Sequence, residues 1–289
     1  MNRHEFLRGL HVATQPRSYL EIGVNDGRSM ALSSARSIGV DPAFRVTVEL
    51  ACDLQLVKAT SDDFFARPDP LTWFGGGTID LGFIDGLHVF EQALRDFMNV
   101  ERFCGPTSVV VFDDMLPRLP EEASRERQTK FWAGDVFKVA TVLERYRPDL
   151  LLVALDTAPT GLLLVLGVDP QNRTLHERYD EIVAEFGTPD PQTVPAHILE
   201  RTDSADPQLV LDSPVWAELR NNRAAGKGLP PGVASLAELR GTAKREFPTP
   251  VAEPWPAGKS LRAATSAQRP RPRWRSQLRR VVRAVERRL

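Results

Sequence analysis

The sequence predicts an α/β protein: a doubly wound, mostly parallel seven-stranded sheet with an irregular, proline-rich C-terminal extension. Three observations carry that expectation. Short apolar runs alternate with stretches of helical period over the first two-thirds of the chain. Strands alternating with helices imply a parallel sheet covered on both faces. Several of the apolar runs end in glycine or aspartate, and ligands in such sheets bind beyond the carboxyl ends of the strands.

The elements follow in order. Residues 18–23 read as a short buried strand and residues 28–37 as the helix after it. Residues 37–41 form the second strand, stopped by Pro42, and residues 54–58 the third. The fourth, residues 79–85, follows Gly75-Gly76-Gly77. Phe90, Ala93, Leu94, Phe97 and Val100 then recur at helical spacing, with His88 at the start of that helix, and residues 108–112, apolar after Ser108, are the fifth strand. Residues 136–146 make another amphipathic helix. Residues 150–155 and 161–168 are strands joined through Thr157-Ala158-Pro159-Thr160 into a closing hairpin.

After a helix at residues 175–186 the texture changes. Thirteen of the 23 prolines lie beyond Gly187. The division expected is a main domain over residues 1–187, short helices and loops over 188–240, a flexible linker over 241–272 and a basic tail over 273–289.

Composition narrows the class. The chain has 289 residues, 42% of them hydrophobic and 26% charged, enough to bury a core without staples. Two cysteines exclude a disulfide scaffold and a cysteine-rich zinc module. No apolar run approaches the ~20 residues that span a bilayer, and the first residues do not read as a signal peptide. A cytoplasmic protein is expected.

The net charge of -1 conceals nine arginines against Glu286 alone in residues 269–289. Trp274, Leu278, Val281, Val282, Val285 and Leu289 make an apolar stripe among those arginines. Such a helix suits a membrane surface or a protein partner. Sequence-specific nucleic acid is not expected, because phosphate binding alone would not need the stripe. A solvated charged tail is the plain alternative, and a homo-oligomer stays open.

Chemistry concentrates at the strand ends. The first strand runs into Glu21-Ile22-Gly23-Val24-Asn25-Asp26-Gly27-Arg28-Ser29, where two glycines let the backbone approach a ligand closely. It is neither the three-glycine dinucleotide fingerprint nor a P-loop. Glu21 would repel a pyrophosphate and suits a cationic or hydroxyl-rich ligand. An ordinary glycine turn is the alternative. Asp41 ends the second strand, where a carboxylate can accept both ribose hydroxyls. Ser61-Asp62-Asp63, after the third strand, could meet an adenine edge or cap a short helix. Asp85, Asp113 and Asp114 end the fourth and fifth strands, an oxygen-rich set of the kind that hard divalent ions take; backbone caps and turns are the alternative. His88 could take a proton from an acceptor hydroxyl.

These motifs, in this order, resemble those of class I S-adenosylmethionine-dependent methyltransferases, above all the small-molecule O-methyltransferase branch. The resemblance covers about residues 15–170. Tyr19 to Ser29 is similar to the family's glycine motif, and Gly39-Val40-Asp41-Pro42 to its ribose-binding acidic loop. Ile84-Asp85-Gly86-Leu87-His88-Val89-Phe90-Glu91 resembles its D-G-x-H segment, and Val110-Val111-Phe112-Asp113-Asp114 its fifth-strand ending. The resemblance implies a Rossmann-like methyltransferase fold and S-adenosyl-L-methionine as cofactor. Gly23, Asn25, Gly27 and Ser29 would then line the cofactor's amino-acid end, with Glu21 nearby, and Asp41 would hold the ribose. It implies Mg²⁺ or Mn²⁺ on Asp85, Asp113 and Asp114, although the family often has asparagine where Asp114 stands. His88 falls where the catechol-type enzymes carry a lysine base. Trp132, Gly134, Asp135 and Lys138 resemble a further segment of the branch, for which plain packing is the alternative. The implied reaction is methyl transfer to a hydroxyl of a small molecule or sugar. A nucleotide-cofactor oxidoreductase and a non-catalytic adaptor working through the basic tail are the alternatives.

Overall fold

A computed structural model of the chain describes residues 1–243 and 251–256. It begins with a helix that is not among the elements expected above, α1 (Arg3–Thr14). Asn2 and Glu5 form a reciprocal capping box at its start, and Phe6, Leu7 and Leu10 bury one face. In chain order there follow β1 (Ser18–Ile22), β2 (Arg36–Val40), β3 (Leu54–Val57), α2 (Ser61–Phe65), β4 (Ile79–Ile84), α3 (Phe90–Glu101) and β5 (Cys104–Phe112). Then come α4 (Lys138–Tyr146), β6 (Leu151–Leu155), β7 (Leu162–Leu166) and α5 (Thr174–Phe186). Three short helices close the set: α6 (Ala196–Leu199), α7 (Pro207–Leu211) and α8 (Val215–Ala224).

The strands form one seven-stranded sheet in the order β3-β2-β1-β4-β5-β7-β6. The first five are parallel, and β7 runs antiparallel to both β5 and β6. This is the Rossmann-like α/β architecture expected from the sequence. Strand order reverses between β1 and β4, so the crevice beyond their carboxyl ends is the topological switch point.

Side chains alternate across the sheet, as the two-residue period requires. Leu20, Ile22, Val110 and Phe112 face a core shared with Phe97 of α3, Val142 and Leu143 of α4 and Ile182 of α5. Tyr19, Phe83, Val109 and Val111 face the other layer, shared with Phe6 and Leu10 of α1 and Trp216 and Leu219 of α8. The C-terminal extension thus contributes to the core, and residues up to Trp255 form one compact unit.

Three expectations are corrected. Residues 28–37 do not make a helix; a single 3-10 turn, Met30–Leu32, stands there. The Ser33 hydroxyl accepts from the Ala35 N–H at 3.1 Å and meets the Ser37 hydroxyl at 3.0 Å, local bonds that compete with a helix. His88 lies before α3, whose first residue is Phe90. β5 starts at Cys104 rather than Ser108, because a register irregularity between Ile79 and Leu81 lets the strand pass Pro106.

Of the expected linker only residues 241–243 and 251–256 are described, and the basic tail, residues 273–289, lies outside the described residues. Among the described residues no helix is long and apolar enough to cross a membrane.

Candidate active site

The glycine turn after β1 folds over the end of β4. Gly23 has φ +91°, and a Cβ there would fall 1.8 Å from the Asp85 carbonyl oxygen, so only glycine fits. Two residues on, the Asn25 N–H donates to Asp41 Oδ2 at 2.8 Å, while the Ala43 N–H donates to Asp41 Oδ1 at 2.6 Å. The turn and the half-buried carboxylate at the end of β2 are therefore one hydrogen-bonded unit. Gly27 also has a positive φ, and its backbone N–H closes the turn onto Val24.

Glu21 sits beneath this turn, fully buried. The Tyr19 hydroxyl donates to one of its oxygens at 2.8 Å and the Ser29 hydroxyl to the other at 2.9 Å. Burial pushes its carboxyl up to about 8, more than the two hydrogen bonds pull it back.

On the far side of β1, Thr60 rather than Ser61 caps α2, its Oγ1 accepting from the Asp63 N–H at 3.1 Å. Ser61 is turned inward and donates to Asp96 Oδ1 at 2.6 Å, where Gln92 also donates at 2.9 Å. Burial pushes the Asp96 carboxyl up to about 7. Asp62 stays at the surface, 3.4 Å from the Arg95 guanidinium.

Across the switch point Asp85, Gly86, His88, Asp96, Asp113 and Asp114 line one pocket. Charges alternate along it. Arg3 of α1 donates to Asp113 and, at 3.3 Å, to Asp85. His88 Nε2 lies 3.4 Å from Asp85 Oδ1, and its Nδ1 lies 3.0 Å from Asp114 Oδ2. Asp114 also accepts from the Thr160 hydroxyl at 2.7 Å. Burial alone would lower the His88 pKa, but Asp114 and Asp85 outweigh it and hold the ring well above its ordinary value. Burial likewise raises Asp114, and His88, Thr160 and Arg3 more than reverse this.

Among the described residues, Asp85, His88 and Asp114 form the group of His, Cys, Asp and Glu side chains whose ligand atoms lie within 4.8 Å of one another. Two carboxylates and an imidazole fit a hard or borderline divalent ion. Asp113, expected as the third ligand, is turned instead to Arg3 and to the Asp114 N–H, which donates to its Oδ1 at 2.9 Å.

The His88 ring is held on its second face as well. Trp132 stacks on it, ring centroids 4.7 Å apart and planes 18° from parallel. The Trp132 carbonyl lies 2.7 Å from Nδ1; a carbonyl only accepts, so Nδ1 carries a proton. Gly134 has φ +63°, and a Cβ there would fall 1.8 Å from the His88 carbonyl oxygen. Asp135 then accepts from the Phe90 N–H at 2.7 Å, capping α3, and pairs with Arg125 at 2.7 Å and Lys138 at 3.1 Å. The Trp132–Lys138 segment thus positions His88 and the start of α3. Its residue types alone do not show that, since the partners are 44 and 45 residues away. Arg3 went unread because its helix did; the Asn2 and Glu5 spacing ahead of Phe6 and Leu7 is the signal for it.

Comparison with known proteins gives a match over one third of the chain and a set of similar structures. Residues 20–115 match the family model described as a methyltransferase domain. None of the curated proteins matches the chain. Among solved structures it is similar to cofactor-bound Rv0187 from MTB, at 19% identity over 58% of this chain and 80% of that one, TM-score 0.45. The O-methyltransferase TomG from Streptomyces achromogenes, involved in tomaymycin synthesis and solved with SAM, has 19% identity over the same shares, TM-score 0.42. An O-methyltransferase from Bacillus cereus in complex with SAH has 15% identity over 57% and 80%, TM-score 0.40.

Proposed function

We propose that this protein is an S-adenosylmethionine-dependent O-methyltransferase acting on a hydroxyl of a small molecule or sugar. The observation that carries the reading is the joined pair at the switch point: the glycine turn and Asp41, bonded through the Asn25 N–H, facing the acidic pocket across β1 and β4. The match of residues 20–115 supports it. Gly23, Asn25 and Gly27 would receive the amino-acid end of the cofactor, Asp41 its ribose, and Ser61 with Asp62 the adenine side. Glu21 and Ser29 would hold the turn from below.

Mg²⁺ or Mn²⁺ would be held by Asp85 and Asp114, with His88 or Asp113 completing the set, and would supply positive charge for the developing oxyanion. The chain's own contribution is orientation. Where Asp113 completes the set, Trp132 and Asp114 hold the His88 ring through Nδ1, and Nε2, beside Asp85, would take the acceptor proton only after giving up its own. Most of the rate then comes from holding methyl donor and acceptor in line.

Calorimetry with S-adenosylmethionine, and transfer of a labelled methyl group to a panel of phenols and sugars, test this reading. Asp41→Ala is expected to weaken cofactor binding by roughly 1–3 kcal/mol, the worth of a hydrogen bond to a charged group. Unchanged affinity removes Asp41 from the site. Binding of NAD in place of S-adenosylmethionine would turn the reading to an oxidoreductase.

A further inference from the structure

Three carboxylates meet at the ends of β4 and β5, and such a group is stable only with positive charge among them. The chain provides one such charge from a distant element. Arg3 stands in the first turn of α1, and its Nη1 reaches both Asp113 and Asp85. Its side chain is three-quarters buried and the Asp113 side chain 99% buried, so solvent screens this contact weakly. Arg3 is also held by its backbone. The Arg3 N–H donates to the Ala158 carbonyl at 3.1 Å, and the Ala158 N–H donates to the Met1 carbonyl at 3.0 Å. The capping box and the buried Phe6, Leu7 and Leu10 fix the rest of the turn.

We propose that Arg3 is the resident cation of this cluster, and that a divalent ion gains Asp113 as a ligand only by displacing the Arg3 guanidinium. This rests on the metal part of the function proposed above. Arg3 thus lies between Asp113 and Asp85, while Asp85 and Asp114 share the His88 ring. The ligand triad expected from the sequence and the Asp85–His88–Asp114 group of the structure then differ by one move: Arg3 in, or Arg3 out. Arg3 is in this sense a positioning residue, setting which oxygens face the pocket.

The test compares Mn²⁺ binding, by electron paramagnetic resonance of the free ion, in the full chain and in Arg3→Gln, Arg3→Lys and Asn2→Ala. At an effective dielectric of about 20, removing one positive charge in contact with two ligands strengthens divalent binding by more than about tenfold. Arg3→Gln is expected to show that gain, and Arg3→Lys to stay near the parent. Asn2→Ala, which loosens the helix cap and leaves every cluster side chain intact, is expected to move the same way by a smaller factor. It decides the matter should Arg3→Gln fail to fold. Arg3→Gln should also melt lower in chelator and recover with Mg²⁺, while the parent gains less from Mg²⁺. Equal or weaker Mn²⁺ binding by Arg3→Gln, or none by any variant, overturns the proposal. S-adenosylmethionine titrations of the same proteins report on the cofactor reading separately.

Discussion

At Glu21 two hydroxyls donate to a carboxyl that solvent does not reach, and the proton stays on it to about pH 8. An ordinary carboxyl titrates near 4.5, so between those values the unfolded chain loses this proton while the folded chain keeps it. The Glu21 contribution to stability is therefore full below pH 4.5 and is lost as pH rises toward 8, by roughly 1.4 kcal/mol per pH unit. Glu21→Gln should melt above the parent near pH 8 and level with it near roughly pH 5, measured without cofactor. Asp96, pushed up to about 7, adds a slope of the same sign. His11, lowered to about 4 by burial, has no hydrogen-bond partner on either ring nitrogen and gives the opposite sign between 6.5 and 4. Two further residues can be judged by substitution. His88→Ala is expected to cost ~10²–10⁴-fold in methyl transfer with cofactor affinity unchanged, and an unaltered rate would leave His88 a packing residue. Gly134→Ala must push a Cβ into the His88 carbonyl, which should cost roughly 2–4 kcal/mol, read by denaturant unfolding.

Among the elements, α3 depends most on a residue outside itself. Its N-cap, Val89, has no side-chain acceptor, and buried Asp135 takes the Phe90 N–H instead while pairing with Arg125 and Lys138. Asp135→Asn keeps the shape and removes the charge, leaving two cations without their shared partner. A loss of roughly 2–4 kcal/mol is expected, since breaking one side of a buried pair strands the other; a loss below 1 kcal/mol, on the order of an exposed pair, would show that Arg125 is satisfied by Glu91 alone. The elements also mark what was legible. β4 is buried throughout and the second half of β5 is apolar, so their ends, Asp85 and Asp113-Asp114, could be read directly. The same reading gave a helix over residues 28–37, because apolar spacing there says nothing of the serine hydroxyls that bond locally. α1 has only a short apolar face, and its signal in the sequence is the cap formed by Asn2 and Glu5.

For the whole molecule, the strand sequence and the closing hairpin followed from periodicity, since each buried strand announces itself by its own residues. Contacts across the chain did not. Arg3 reaching Asp113 and Trp132 stacking on His88 join segments whose meeting depends on the finished sheet order. The role of the extension belongs to the same class. Trp216 and Leu219 of α8 are buried against the layer under Phe6 and Leu10, which proline content alone would not suggest.

That extension also touches the rim of the sheet. β6 is an outer strand, and Ala205 pairs with its last residues: the Ala205 N–H donates to the Ala154 carbonyl at 2.7 Å, and the Asp156 N–H donates to the Ala205 carbonyl at 3.1 Å. Arg201 fastens the segment, donating to Asp156 at 2.6 Å and to the Leu116 carbonyl at 2.9 Å. An outer strand with bare amides is a template on which a second molecule can add a strand. Shortening the chain after residue 187 would bare these amides together with the apolar face beneath Trp216. The shortened protein is expected to scatter light and enter the pellet on expression, while the chain ending at residue 243 remains in solution. Equal yields of soluble protein from both would mean that the rim needs no cover.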